Sequence, residues 1–337
     1  MQITRLRTLT MSWALTLGAD LAHAGIDLRV EAWPNLHLPK ENSMIKFHGR
    51  LLHLSRAFFA TLLSIAFAAP ALAQTYNAID VPGYPYTHAF GINDFGSIVG
   101  DCDFADGYVS AYVLRRGNFT IIDAPGAVAT TAWDINNLGA IVGDYYGEDF
   151  LYHGFLYVDG KLTTIDFPGA VHTSAQGIDD FGRIVGIFID DTDTWRGFIL
   201  VGDKFRAIEA PNAEFTTAVG ITGPDIVGDM EINGVSSGYV LRKGRFTPIA
   251  YPGANFTTAN RINYSGEIVG TWAEDADADV GHAYLLTQRG FTSFDFPHAA
   301  LTTGRDVNDQ GHVVGSFRDD AGYVHGYLRV PRKAGPR

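Results

Sequence analysis

From residue 76 the chain alternates short runs of Ile, Val, Thr and aromatic residues with clusters of Gly, Asn, Asp and Pro, and the alternation keeps one period. The run "GINDFGSIVG" at 91–100 returns as "DINNLGAIVG", "GIDDFGRIVG", "RINYSGEIVG" and "DVNDQGHVVG". The IVG-type glycine falls at Gly100, Gly143, Gly186, Gly228, Gly270 and Gly315, in steps of 43, 43, 42, 42 and 45 residues. A proline keeps the same step at Pro82, Pro125, Pro168, Pro211, Pro252 and Pro297. A third signature, "SAYVL", "HGFLY", "RGFIL", "SGYVL", "HAYLL" and "HGYLR", makes six copies with matched internal spacing. A catalytic motif is needed once, whereas a unit that cannot bury its own apolar face is needed several times.

Each copy holds four β-type runs, in the second "TTAWDIN", "AIVGDYY", "HGFLYVD" and "KLTTIDF". Their β-branched and aromatic content marks strands. In "NNLG" and its equivalents, Asn or Asp bonds its own backbone and Gly supplies the left-handed conformation. The proline of "DFPGA" ends the fourth strand, because it cannot donate to a ladder. Four strands in each such repeat form a propeller blade. The pattern therefore predicts an all-β fold, a six-bladed β-propeller of four-stranded blades. The repeats begin with a lone fourth-strand copy, "YNAIDVPG", and end on a third-strand copy, "HGYLRV". An N-terminal strand over 76–81 would complete the last blade and close the ring, which removes exposed edges. An open solenoid would need terminal caps, and no capping sequence is present. The fourth copy, "GITGPDIVG", is one residue short and puts Pro224 in the hairpin, so its turn must differ from the others.

The patterns "HAFGIN", "HGFLY..GK.T.IDFPGA" and "GIND.G.IVG" resemble the HAF-type extracellular repeat family of bacterial exported proteins, over roughly residues 76–330. The resemblance implies export and a β-repeat fold, and it implies no chemistry.

Residues 1–73 lie outside the repeats. Residues 44–73 have the layout of a secretory signal: Lys46, Arg50 and Arg56, an apolar run over 57–69, then Ala71-Leu72-Ala73 before Gln74. The run is too short to span a bilayer comfortably. The expected organisation is an upstream extension over 1–43 ahead of a true start at Met44, a signal peptide over 44–73 cleaved after Ala73, and one domain over 74–337. The expected product is secreted or periplasmic, monomeric, and without a membrane span after cleavage. It holds 18 basic and 33 acidic residues, a net charge of −15, which argues against nucleic acid as a partner. Its one cysteine, Cys102, excludes an internal disulfide and reads as a small buried hydrophobe.

Two places could hold chemistry. The second-to-third loops, 101–109, 144–152, 187–195, 229–236, 271–280 and 316–324, carry 17 acidic residues and only Arg318 as a base. Within them, Asp275, Asp277 and Asp279 form the first calcium candidate, Asp190, Asp191 and Asp193 the second, and Asp101, Asp103 and Asp106 the third. Alternating carboxylates in a tight loop can supply several of calcium's oxygen ligands, although no loop carries the full twelve-residue pattern. The competing reading is solvated loops that keep the protein soluble. The second place is the channel. There Phe90, Trp133, Gln176, Val219, Asn260 and Arg305 vary at one innermost-strand position, and Asp134, Arg261 and Asp306 follow where other copies have glycine. His153, His282 and His325 share a third-strand position with Ser110, Arg196 and Ser237, which no common catalytic base would do. No HExxH, phosphate-cradling loop or cysteine pair is present.

These features favour an exported binding or interaction module for a carbohydrate or an extracellular protein, with Trp133, Trp195 and Trp272 as stacking platforms. The alternatives are a secreted calcium-assisted hydrolase or lactonase-like enzyme and a structural envelope or matrix protein.

Overall fold

The computed structural model describes residues 74–104, 107–274 and 280–331. They form 27 β-strands, and no helix among them is long and apolar enough to cross a membrane. The predicted leader and upstream extension lie outside the described residues.

Every copy folds as an antiparallel meander. In the first, Tyr86–Ile92, Ile98–Asp103, Val109–Arg115 and Asn118–Ile122 pair in order. The pairing does not yield six separate sheets. Four blades stand as sheets of their own, beginning at His172, Phe215, Phe256 and Leu301. The remaining two meanders merge into one eight-stranded sheet, because a single parallel bridge joins Val109 to Ala129. Backbone pairing between neighbouring meanders needs no particular side chain, so nothing in the repeat announces it.

The ring closes through strand Thr75–Ile79, which runs antiparallel to Val324–Val330 with Thr75 opposite Val330 and Ile79 opposite Gly326. The last sheet thereby gains its outer strand from the other end of the chain. The larger apolar cores lie between neighbouring meanders, and smaller clusters such as Met230 with Tyr239 lie within one. Val99, Ala111 and Ile122 of the first pack on Ala132, Ile135 and Phe155 of the second. Across the closure Ile79 and Val314 meet Ala89, Ile92 and Ile98.

Two repeated side chains fix this spacing. A threonine of each innermost strand accepts the amide of the residue before the repeat's proline, as Thr87 Oγ1 does from Val81 N at 3.0 Å and Thr130 from Ala124 N at 3.1 Å. A third-strand aromatic is fully buried, and Tyr112 Oη donates to His88 O at 2.8 Å. That ring lies over the IVG glycine. A Cβ on Gly143 would stand 2.0 Å from Thr131 O and 2.6 Å from Phe155 Cζ.

The short fourth copy makes its turn differently. Thr222 pairs directly with Asp225, leaving Gly223 and Pro224 as a two-residue loop. Gly223 has φ +53° and proline holds φ near −65°, the signs of a type II′ hairpin turn.

Candidate functional site at the propeller axis

Three of the varying channel residues are bulge residues. The ladder skips from Ala89 to Gly91, from Ala132 to Asp134 and from Ala175 to Gly177, leaving Phe90, Trp133 and Gln176 unpaired. A bulge re-aims its side chain, and here it aims each one at the axis. Phe90, Trp133, Gln176, Val219, Asn260 and Arg305 accordingly line one cavity together with Ile187 and Arg261. Its volume is about 30 Å³, room for a water or two and no more.

The lining side chains are held by ring contacts and by hydrogen bonds to groups around the axis. Phe90 and Trp133 lie 4.5 Å apart, and the Arg305 guanidinium stands 5.3 Å from the Phe90 ring. Trp133 Nε1 donates to Asp144 Oδ2 at 2.7 Å, and Ser174 Oγ donates to the same oxygen. Asn260 Nδ2 donates to Gly304 O at 2.7 Å. Arg261 forms a plug: it donates to Gln176 O at 2.6 Å, Asn260 O at 3.0 Å, Trp133 O at 3.2 Å and also to Val219 O. Its Nη2 stands 3.5 Å from Asp134 Oδ2. Asp134 accepts Ile135 N and Ile178 N at 2.8 Å each. Asp306 accepts Ile92 N at 2.7 Å and Val307 N at 2.6 Å. Each carboxylate thus ties its own strand to the next around the ring. Burial pushes the Asp306 carboxyl up to about 7, with Asp134 adding and Arg261 opposing. Burial also raises Asp134, against the Arg261 charge.

Further along the axis sit more buried carboxylates. Burial raises Asp144 to about 6 and Asp229 to about 7. Burial and the Arg305 charge hold His88 down at about 3, a neutral imidazole at ordinary pH. The sequence reading put Asp101 and Asp103 in a solvated loop, but both belong to strand Ile98–Asp103 and are buried. Asp144, Asp229 and Glu231 are likewise buried strand residues. The second strands run further than their turn signals suggest, which turns these carboxylates inward. Asp101 Oδ2 accepts Thr131 Oγ1 of the next meander at 3.1 Å. Among the proposed calcium ligands that remain, Asp190 is committed to Thr192, Thr194 and Arg196. Asp191 and Asp193 are exposed, while Asp106, Asp275, Asp277 and Asp279 lie outside the described residues. No group of three or more His, Cys, Asp or Glu among the described residues is placed to hold a metal ion.

The tryptophans are poor stacking platforms. Trp133 is buried, Trp195 half-buried, and Trp272 lies between Tyr251 at 4.2 Å and His282 at 4.7 Å, both stacked. The third-strand histidines are braces at the rim. His153 bonds Asp166 at 2.9 Å and Asp149 at 3.0 Å, while His325 bonds Asp80 at 2.6 Å. Cys102 is buried, and burial raises its thiol.

The repeated hairpins supply what sequence reasoning missed. Asn93 Oδ1 does accept its own turn's amides, Phe95 N at 3.1 Å and Ser97 N at 2.9 Å. Its Nδ2, however, donates to Asn136 O of the next meander at 3.1 Å. Asn136 donates to Asp179 O at 3.0 Å, Asn263 to Asn308 O at 3.1 Å, and Asn308 back to Asn93 O at 3.1 Å. Beside these, Asp94 N donates to Asn137 Oδ1 at 2.8 Å and Asp309 N to Asp94 Oδ1 at 2.9 Å. The turns thus form a hydrogen-bonded collar around a pit of about 80 Å³, with Asp94, Asp180 and Asp309 at its mouth and Arg261, Asp134 and Asp306 deeper in.

No family model matches the sequence, and no curated protein matches it. Solved structures do. The chain is similar to a putative TolB from Agrobacterium tumefaciens, with 12% identity and a TM-score of 0.51, over 73% of this chain and 91% of that one. It is also similar to the β-propeller domain of the Trilobed protease from Pyrococcus furiosus, with 8% identity and a TM-score of 0.44, over 74% and 95%. The Aleuria aurantia lectin in complex with Fucα1-6GlcNAc gives 11% identity and a TM-score of 0.45, over 78% and 98%. At these identities the likeness is one of fold, and the fold is a β-propeller.

Proposed function

We propose that the chain is an exported binding module of the HAF-repeat kind, a propeller of six blades in which the eight-stranded sheet counts as two. Its ligand is a macromolecule outside the cytoplasm, a glycan or a protein, engaged on the disc surface. The observation that carries this reading is the axis itself: the channel side chains pack and hydrogen-bond around a cavity of only about 30 Å³. Most small-molecule sites need a cleft of roughly 300–1,000 Å³. The buried carboxylates are therefore cut off from any substrate, whereas the collar face stays open. Export is tested by amino-terminal sequencing of the protein recovered outside the cytoplasm, with Gln74 expected first. Binding is tested on a glycan array and a set of synthetic peptides, beside a panel of ester, lactone and glycoside substrates. Saturable binding without turnover is expected. Turnover that disappears in Asp144→Asn or Asp229→Asn would replace this reading with the hydrolase.

A further inference from the structure

Three successive blades place a large apolar residue at the third position of the first hairpin turn. All three stand in solvent: Phe95, Leu138 and Phe181 are 80, 79 and 77% exposed. Turn tips ordinarily favour Gly, Asn, Asp and Ser, and none of the three enters the cores between blades. Tyr264 of the fifth blade, at the neighbouring turn position, is 56% exposed. These side chains surround the axial pit and its carboxylate mouth. Between Phe95 and Leu138 lies a groove of about 310 Å³, lined also by Arg115, Tyr157 and Asp159. Groove and pit share Asn93 and Asn137 in their walls, so the two are adjacent.

Exposed apolar residues clustered around polar ones mark interaction surfaces on soluble proteins. The sign of the charge selects the partner: a mouth ringed by Asp94, Asp180 and Asp309 favours a cation. Phe95 and Leu138, which flank the groove next to it, favour an apolar group attached to that cation. We propose that this collar face docks an extended basic segment of a partner polypeptide, with a lysine or arginine over the pit and a neighbouring apolar side chain between Phe95 and Leu138. The inference rests on the binding-module reading and names the partner class for it.

The test uses the purified protein and three labelled synthetic peptides, read by fluorescence polarisation. One alternates Lys and Leu between Ser residues, the second has Glu for Lys, and the third has Ser for Leu. The first should bind saturably, and each replacement should weaken binding by about tenfold or more. Phe95→Ala combined with Leu138→Ala should weaken it by about tenfold and, because both side chains stand in solvent, leave the thermal midpoint unchanged. Val128→Ala, on the opposite face and 49% exposed, should leave binding unchanged. Equal binding of the Glu peptide, or affinity for the Lys–Leu peptide that ignores the double substitution, overturns the proposal. It is also overturned if the double substitution instead changes the molecular mass in solution, which assigns the face to a second copy, or removes binding of a neutral glycan. Failure of all three peptides beside saturable glycan binding sinks this inference and spares the binding module. Turnover without binding sinks both.

Discussion

Replacing Asn136 separates the two tasks of the hairpin asparagine. The buried side chain accepts Leu138 N at 3.1 Å and Ala140 N at 3.0 Å within its turn, and donates to Asp179 O of the next blade at 3.0 Å. Alanine deletes all three. At a net value near 1 kcal/mol per hydrogen bond, Asn136→Ala should cost about 3 kcal/mol. For a domain of this size that lowers the thermal midpoint by about 6–12 °C. Asn136→Asp keeps both acceptors and loses only the donor, as Asp179 itself does in the next turn, where Arg183 supplies a partner. At neutral pH Asn136→Asp should therefore destabilise the protein, and the deficit should shrink as pH falls, since a protonated carboxyl can donate to Asp179 O. Thermal unfolding followed by circular dichroism at pH 7.5 and pH 4.5 reads both effects. If Asn136→Ala stays within about 0.5 kcal/mol of the parent, the size of an ordinary surface change, the collar contributes nothing to stability. If Asn136→Asp matches the parent at neutral pH, the cross-blade bond is dispensable and the asparagine serves its own turn alone.

Gly143→Ala should cost more than about 3 kcal/mol, because its Cβ meets a carbonyl oxygen and an aromatic ring that cannot retreat. Gly139→Ala, at φ +84° with only the Arg115 side chain nearby, should cost about 1 kcal/mol. Equal midpoints for the two in urea would refute the close-approach argument. Deleting residues 74–80 should leave Val324–Val330 with an open edge, lowering the midpoint and raising light scattering; a soluble protein with the parent's midpoint would show that closure is idle. Stability should also fall on going from pH 5 to pH 8. The folded carboxyls of Asp306 and Asp229 are raised to about 7, so the folded state holds protons that the unfolded chain releases near pH 4. Their contribution is complete below that pH and lost as pH rises through the folded value. His153 and His325, raised by their aspartate partners against burial, lose their contribution in the same direction. Asp306→Asn should flatten the profile between pH 4 and 7, and an unchanged slope would contradict the assignment.

The strands, their period and the closing strand were legible because each copy must solve the same burial problem with the same residue types. The axis was legible for the opposite reason. Six equivalent positions converge on one small space, so Phe90, Trp133, Gln176, Val219, Asn260 and Arg305 must differ to fill it, and variation inside a constant frame marked them. The bulges at Phe90, Trp133 and Gln176 leave no local trace, and neither does the extent to which Arg261 consumes the available carbonyls, one of them 128 residues away. Asn93 was half legible: its turn bonds span 2 and 4 residues, its donor bond spans 43. The acidic segments misled because the strand at Asp101 and Asp103 outruns the turn signal, placing charges inside that looked solvated. Phe95, Leu138 and Phe181 were in plain sight, but a hydrophobic letter in a turn gains meaning only when its exposure is known.

The closing strand also sets a clock. Gln74 and Arg329, which meet at 2.8 Å across the seam, stand 255 residues apart. At roughly 5–20 residues per second, the first strand of a growing chain waits on the order of 10–50 s before its partner exists. Blades in the middle of the chain can form as they emerge, each settling on the one before. The seam cannot, and until it does the molecule carries two unsatisfied edges that fit each other and also fit those of any other unfinished copy. Synthesis of the strand at 324–330, not formation of any one blade, is the event that lets the seam close.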